Sequence, residues 1–276
     1  MRKSRVKTKL SRGEAVLVTT CHFTDPSLYE LVSLLGFDCV WMDMEHHTYS
    51  LETAAELMRA ARVGTADIIA RPAKGEFMRM QRMLEAGAQG IMYPRCDDAA
   101  EATEVVKWAK FPPTGVRGVD GGNPDMPYLS MTLADYIDTA NKETFVAIQI
   151  EQKETVDHIE AIAAVEGVDI LMIGPGDLSI RLGVPGQTTH KKVREVIERT
   201  AKAAADCGKA WGLPVGSVDA AKEMLDLGAR WICFGGDIVF LKTAFEKVQA
   251  DFAPLGFTFQ NRLATKASGS ASQYEN

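Results

Sequence analysis

Eight short and nearly continuous apolar runs recur along the chain, and they constrain its fold more than any other feature: "AVLVTT", "FDCVWMD", "DIIAR", "QGIMYP", "TFVAIQIE", "VDILMIG", "KAWGLPV" and "RWICFGG". A strand with one wet face alternates apolar and polar residues, so runs without alternation read as strands buried on both faces of a parallel sheet. Most are separated by stretches with helical spacing. In "SLETAAELMRAARVG", Leu51, Ala54, Ala55, Met58, Ala61 and Arg62 fall at i, i+3, i+4 and i+7 positions behind a Ser50 N-cap. "VDAAKEMLDLGA" repeats the pattern and stops at Gly228, the residue type that closes helices in a left-handed turn. Eight such units suit a closed (β/α)8 TIM barrel, usually about 250 residues long. An open doubly wound sheet would carry a glycine fingerprint after its first strand, and "VLVTTCHFTDPS" has none.

The expected organisation is a basic N-terminal leader over residues 1–12, the barrel over 13–255, and a polar C-terminal tail over 256–276 that frays from it. One connection breaks the rhythm: residues 111–131, "FPPTGVRGVDGGNPDMPYLSM", are rich in Pro and Gly. Loops of that length in a compact domain are usually functional, and this one is expected to reach the strands through the helix "TLADYIDTAN".

Composition excludes several classes of function. A net charge of -6 gives no basic footprint for nucleic acid, so small anionic substrates must be met by local cations. No apolar run reaches the roughly 18 residues of a membrane span, and "MRKSRVKTKLSRG" lacks the apolar core of a secretory signal. The five cysteines are scattered without a CxxC pair, which fits reduced thiols and a cytoplasmic enzyme.

In a barrel of this kind the active site sits at the C-terminal strand ends, and ionisable residues gather there. Strand two ends at Asp43, with Glu45 and His46 just beyond; strand three ends in Arg71, strand four at residues 93–95, and strand five in Gln149 and Glu151. Strand six runs into "IGPGDLS" with Asp177. Gln149 and Glu151, two apart, share a face. Glu151 with Asp177 gives two carboxylates and no thiolate, a pair suited to Mg²⁺ or Mn²⁺ rather than zinc; the alternative is that Glu151 pairs with Arg71 or Lys153 in a structural ion pair. Arg71 can bind a carboxylate or an enolate oxygen. His46 near Asp43 has the setting of a base, whereas His47 reads as a surface or interface residue. The N–H groups of Gly176 and Asp177 are placed to meet a substrate carboxylate.

These residues in this order resemble the HpcH/HpaI aldolase family of metal-dependent pyruvate aldolases, whose fold is a phosphoenolpyruvate/pyruvate-type barrel. The segments that carry the resemblance are "FDCVWMDMEHHTYS", "IIARPAKGE", "GAQGIMYPRCDDAAEA", "FPPTGVRGV", "VAIQIEQKETV" and "VEGVDILMIGPGDLS". It implies that Glu151 and Asp177 bind a divalent metal (Mg²⁺, Mn²⁺ or Co²⁺), supported by Gln149. It also implies that Arg71 holds the keto or enolate oxygen, and that His46, held by Asp43, moves the proton.

The implied reaction is reversible cleavage of a 4-hydroxy-2-oxo acid to pyruvate and an aldehyde through a metal-bound enolate. The family also implies a homo-oligomer, a hexamer built as a trimer of dimers, and "DIVFLKTAFEKVQADF" is more apolar than one barrel face needs. Departures from the family pattern fall on the acceptor side: Met44, Arg95 with Cys96, "RGVDGGNPDMP" and Pro214. Trp41 beside "DMEH" is similar to macrophomate synthase, a relative that decarboxylates oxaloacetate, so decarboxylation is the alternative, with a CoA-ester lyase a more distant one. A barrel kept only as a binding module would have lost at least one of His46, Arg71, Glu151 or Asp177, and all four are present.

Overall fold

The computed structural model describes residues 2–263, so most of the expected tail, residues 264–276, lies outside the described residues. Eight parallel strands close into a barrel in sequence order. They are β1 (Val16–Cys21), β2 (Cys39–Asp43), β3 (Asp67–Arg71), β4 (Gly90–Tyr93), β5 (Phe145–Ile150), β6 (Ile170–Ile173), β7 (Ala210–Val215) and β8 (Trp231–Gly236). The helices are α1 (Arg5–Leu10), α2 (Pro26–Leu34), α3 (Leu51–Ala61), α4 (Phe77–Ala86), α5 (Ala99–Ala109) and α6 (Leu133–Glu143). They continue as α7 (Lys153–Asp157), α8 (Ile159–Ala163), α9 (Pro175–Arg181), α10 (Lys191–Asp206), α11 (Val218–Asp226) and α12 (Asp237–Phe252). All eight apolar runs are strands, and the fold is a (β/α)8 TIM barrel.

Strand geometry sends alternate side chains to opposite faces, and two buried clusters result. The barrel interior is filled by Val16, Val18, Cys39, Trp41, Ile69, Met92, Phe145, Ala147, Ile170, Met172, Trp231 and Cys233. Their neighbours in sequence, among them Val40, Ile68, Ile91, Val146 and Leu171, pack outward against the helices. Counting up each strand by twos from the interior set reaches Asp43, Arg71, Gln149 and Glu151. The periodicity that fills the barrel therefore also aims the polar strand ends at its axis.

The helix caps expected from the sequence form. Ser50 Oγ accepts from the Thr53 N–H at 3.1 Å, and Gly228 takes φ +100° after α11. The basic leader is a helix that closes the N-terminal end of the barrel. Val6 is fully buried in the interior cluster, and the Asp67 carboxylate accepts from Ser4 Oγ at 2.6 Å and from the Val6 N–H at 2.9 Å. Arg5 and Lys9 both reach Asp38, at 2.5 and 2.7 Å, while Lys7 reaches Asp169 at 2.6 Å. Its positive charges thus pair with carboxylates at the starts of two strands, β2 and β6.

Residues 111–131 fold around a small core of Phe111, Met126, Tyr136 and Ala140. Arg117 is buried there, paired with Asp125 at 2.8 Å and lying 4.5 Å over the Phe111 ring. The loop is held to α3 and α4 through Arg62 and Gln81, and contributes nothing to the cavity at the strand ends. Cys21, Cys39, Cys96 and Cys233 are buried and Cys207 is exposed, all as free thiols. Among the described residues no helix is long and apolar enough to cross a membrane.

Candidate active site

A cavity of about 360 Å³ opens at the C-terminal end of the barrel. Trp41, His46, Arg71, Gln149, Glu151, Gly176, Asp177 and Pro214 all line it. Asp43 and Arg95, also singled out from the sequence, are not among its lining residues.

Asp43 and Arg71 are register partners on β2 and β3. Arg71 Nε donates to Asp43 Oδ1 at 2.9 Å and Nη2 to Oδ2 at 2.6 Å, a two-point fork that is stronger and more directional than a single contact. Burial raises the Asp43 carboxyl, but hydrogen bonds and charge from Arg71 outweigh it and hold the group below its ordinary value. The guanidinium also lies 4.6 Å over the Trp41 ring, which lines the cavity. Its third nitrogen, Nη1, is 3.3 Å from both Gln149 Oε1 and Glu45 Oε2.

Gln149 links the two halves of the site, accepting from Arg71 through Oε1 and donating to Glu151 Oε2 through Nε2 at 3.0 Å. The other oxygen of Glu151 accepts the Arg95 N–H at 2.8 Å. Arg95 has φ +51°, a conformation that is costly for a residue with a side chain and here turns its N–H onto the carboxylate. Space for Glu151 depends on Gly174, where a Cβ would stand 2.4 Å from Oε2.

Burial, reinforced by Glu45 and Asp177, pushes the Glu151 carboxyl up to about 7 even though Arg95 and Arg71 act in the opposite sense. Asp177, in the first turn of α9, is exposed, and its carboxylate makes no hydrogen bond or ion pair among the described residues. Glu151 and Asp177 could therefore hold a hard divalent cation, which would offset the penalty on the Glu151 charge. Among the described residues no three His, Cys, Asp or Glu side chains form a closed metal group. The pair is open, with positions free for oxygens of water or substrate.

Two of the expected residues have partners that the sequence did not indicate. Asp43 does not hold the ring of His46: both its oxygens are engaged by Arg71, and it reaches His46 only through the main-chain N–H at 3.4 Å. The carboxylate beside the half-exposed His46 ring is Glu45, with Oε2 3.6 Å from Nε2. Arg95, expected on the substrate, pairs its side chain with Glu45 at 2.7 Å.

Glu45 is the residue that reading the sequence left without a role. Its side chain is 5% exposed and lies among His46, Arg71 and Arg95. The signal was present in "DMEHH" but does not say which acid faces which partner. His47 packs its ring edge against His22, 4.8 Å between centroids, and His22 Nδ1 is 2.7 Å from Asp237. Burial holds the His47 ring below its ordinary value.

An enclosed arginine fork, a pair of carboxylates open to a cation and a histidine at the mouth gather at the C-terminal end of the barrel. The profile of the HpcH/HpaI aldolase/citrate lyase family matches residues 21–244. The chain is 34% identical over 238 residues to the hydroxypyruvate/pyruvate aldolase of Delftia acidovorans, covering 86% of this chain and 88% of that protein. It is 32% identical over 223 residues to the 4-hydroxy-2-oxo-heptane-1,7-dioate aldolase of Shigella sonnei, covering 81% and 85%. The crystal structure of an HpcH/HpaI aldolase from Desulfitobacterium hafniense superposes with a TM-score of 0.85 at 31% identity, covering 92% of this chain and 98% of that one. This chain belongs to the HpcH/HpaI aldolase/citrate lyase family, and it is an enzyme of the aldehyde-lyase kind.

Proposed function

We propose that this enzyme is a divalent-metal-dependent aldolase that reversibly cleaves a 4-hydroxy-2-oxo acid to pyruvate and an aldehyde. The carrying observation is Glu151, a buried carboxylate whose charge is disfavoured by its surroundings, beside Asp177, which has no counter-ion of its own. Arg71 and Arg95, the cations at the site, are already paired with Asp43 and Glu45. A deficit of positive charge lined by hard oxygens suits Mg²⁺, Mn²⁺ or Co²⁺. A cation held there by Glu151 and Asp177 would supply Lewis acidity towards the oxo group of the donor.

The chain's own residues do the rest. Arg71 is pre-oriented by Asp43, and Nη1, with its two longer contacts, is the nitrogen best placed to exchange a partner for a substrate oxygen. Charge that develops on that oxygen meets a fixed donor, which needs no reorganisation. His46 takes the proton of the C4 hydroxyl as the C3–C4 bond breaks. The electron pair of that bond stays on the pyruvate fragment as its enolate, the aldehyde departs, and C3 then takes up a proton; condensation is the reverse. The relatives' names support pyruvate as donor, with hydroxypyruvate as a second donor to offer.

The test is pyruvate release by metal-stripped protein, restored with Mg²⁺, Mn²⁺ or Co²⁺, from 4-hydroxy-2-oxo acids with oxaloacetate in parallel. Release from oxaloacetate alone would replace the aldolase reading by a decarboxylase.

The reading includes self-association. Of the sixteen residues of α12 only Asp237 is buried, while Ile238, Val239, Phe240, Leu241, Phe245 and Val248 are exposed. Leu17, pointing outward from β1 beside β8, is 42% exposed as well. An apolar helix and an incompletely covered strand pair on one face suit burial against a second copy.

A further inference from the structure

A second cavity, of about 300 Å³, lies outside the barrel wall between β7 and helices α10 and α11. Pro175, Thr188 and Pro214 line both it and the active cavity, so the two spaces meet over the rim at Pro214. Resting on the aldolase reading above, we propose that this slot receives the tail of the aldehyde acceptor, and that the acceptor it selects carries an uncharged alkyl or aryl group.

The walls decide the chemistry. Ile197, Leu213, Val215 and Met224 line the slot and are each nearly or fully buried, so an apolar tail would exchange water for carbon on most sides. The two charged residues present are Arg194 and Glu223, and they pair with each other. Arg194 Nε is also held by Glu198 Oε1 at 2.8 Å. Engaged by two carboxylates, this arginine offers a terminal carboxylate of the acceptor no free charge, and Glu223 would repel it.

Position fits the role. Pro214 and Thr188 line the active cavity together with Arg71 and Gln149 and also line the slot, so a chain leaving C4 over Pro214 would enter it. No long side chain stands at the shared wall. Each methylene buried there is worth roughly a three- to fourfold gain in selectivity.

The experiment is condensation of pyruvate, with Mn²⁺ present, onto propanal, hexanal, benzaldehyde and succinic semialdehyde, with exchange of the pyruvate methyl protons for deuterium followed separately. The expected result is kcat/KM for hexanal at least about tenfold above propanal, with succinic semialdehyde below both. Ala220→Trp, which fills the slot from α11, should collapse the hexanal to propanal ratio towards one, and Glu223→Ala should raise the relative use of succinic semialdehyde by freeing Arg194. Deuterium exchange with a preference for propanal or succinic semialdehyde, or an unchanged ratio in Ala220→Trp, would overturn the slot while leaving the aldolase reading intact. Absence of exchange would remove that reading and the slot with it.

Discussion

Arg71 and Asp43 sit opposite each other on adjacent strands and are joined by two parallel hydrogen bonds, 2.9 and 2.6 Å, in a site where both side chains are under a tenth exposed. The fork fixes the guanidinium plane above Trp41. A lysine would keep the charge but could satisfy neither the two-point contact nor the stack. Arg71→Lys should therefore lower kcat/KM for pyruvate release by about 10²- to 10³-fold, the usual cost of removing one preorganised donor from developing oxyanion charge. A steady-state assay checks this; a loss below about tenfold would mean that Arg71 is structural.

Glu151→Gln and Asp177→Asn should each abolish metal-dependent turnover. Binding of Mn²⁺ to the native state alone raises stability by mass action, by about 2.7 kcal/mol at a hundredfold excess over Kd. Thermal melting of the stripped protein should then shift upward with added Mn²⁺ in the wild type and stay unmoved in both variants. An equal shift in either variant would put the cation elsewhere.

The strands and their order were legible because burial on both faces leaves a plain apolar signature, and the inward aim of Arg71, Gln149 and Glu151 follows from a period of two. Partner choice was not legible. Asp43, Glu45, His46 and His47 lie within five residues, and a loop beyond a strand end has no fixed period to say which acid meets which base. Only the structure shows that Asp43 belongs to Arg71 and that Glu45 stands beside His46. The leader was opaque for a related reason: nothing in the sequence assigns partners to its lysines and arginines until Asp38 and Asp169 are brought beneath the barrel.

His46→Ala should keep metal-dependent binding of pyruvate, measured calorimetrically, and lose cleavage by about 10²- to 10⁴-fold, the range for a positioned acid–base group. Loss of metal affinity would instead make His46 a ligand. Glu45→Gln keeps a partner for Arg95 but removes the charge beside the ring, so a smaller loss, about 10- to 100-fold in kcat, is expected.

Asp38 links stability to pH. Burial raises its carboxyl, but hydrogen bonds from Lys9, Arg5 and the Leu17 N–H outweigh it, leaving it below the ordinary value. A carboxylate depressed in the folded state stabilises above its unfolded pKa, about 3.9, and that contribution is lost as pH falls through the folded value. Asp38→Asn should cost about 2 kcal/mol at pH 7. The gap between variant and wild type in urea unfolding should narrow from about pH 4 downward; a gap independent of pH would show that shape, not charge, matters at this position.

A surface helix of a monomer normally buries an apolar stripe and wets the rest, yet α12 exposes Phe240, Phe245, Val248 and Phe252 around most of its circumference. Its one buried residue, Asp237, is held by His22 and by the N–H groups of His22, Phe23 and Ile238, so the helix is anchored at its first turn and little further along. Phe240 packs near Phe234, but Phe245 is 66% exposed, with no ring partner among the described residues. Burial of a phenylalanine contributes about 1.5 to 3 kcal/mol, so several on one helix are enough to drive association. The wild type should sediment as an oligomer and Phe245→Asp as a smaller species. Because Phe245 lies away from the cavity, the variant also asks whether the barrel works alone: a monomer with wild-type turnover would make assembly a matter of stability, whereas a monomer that binds Mn²⁺ and fails to turn over would tie the site to its neighbour.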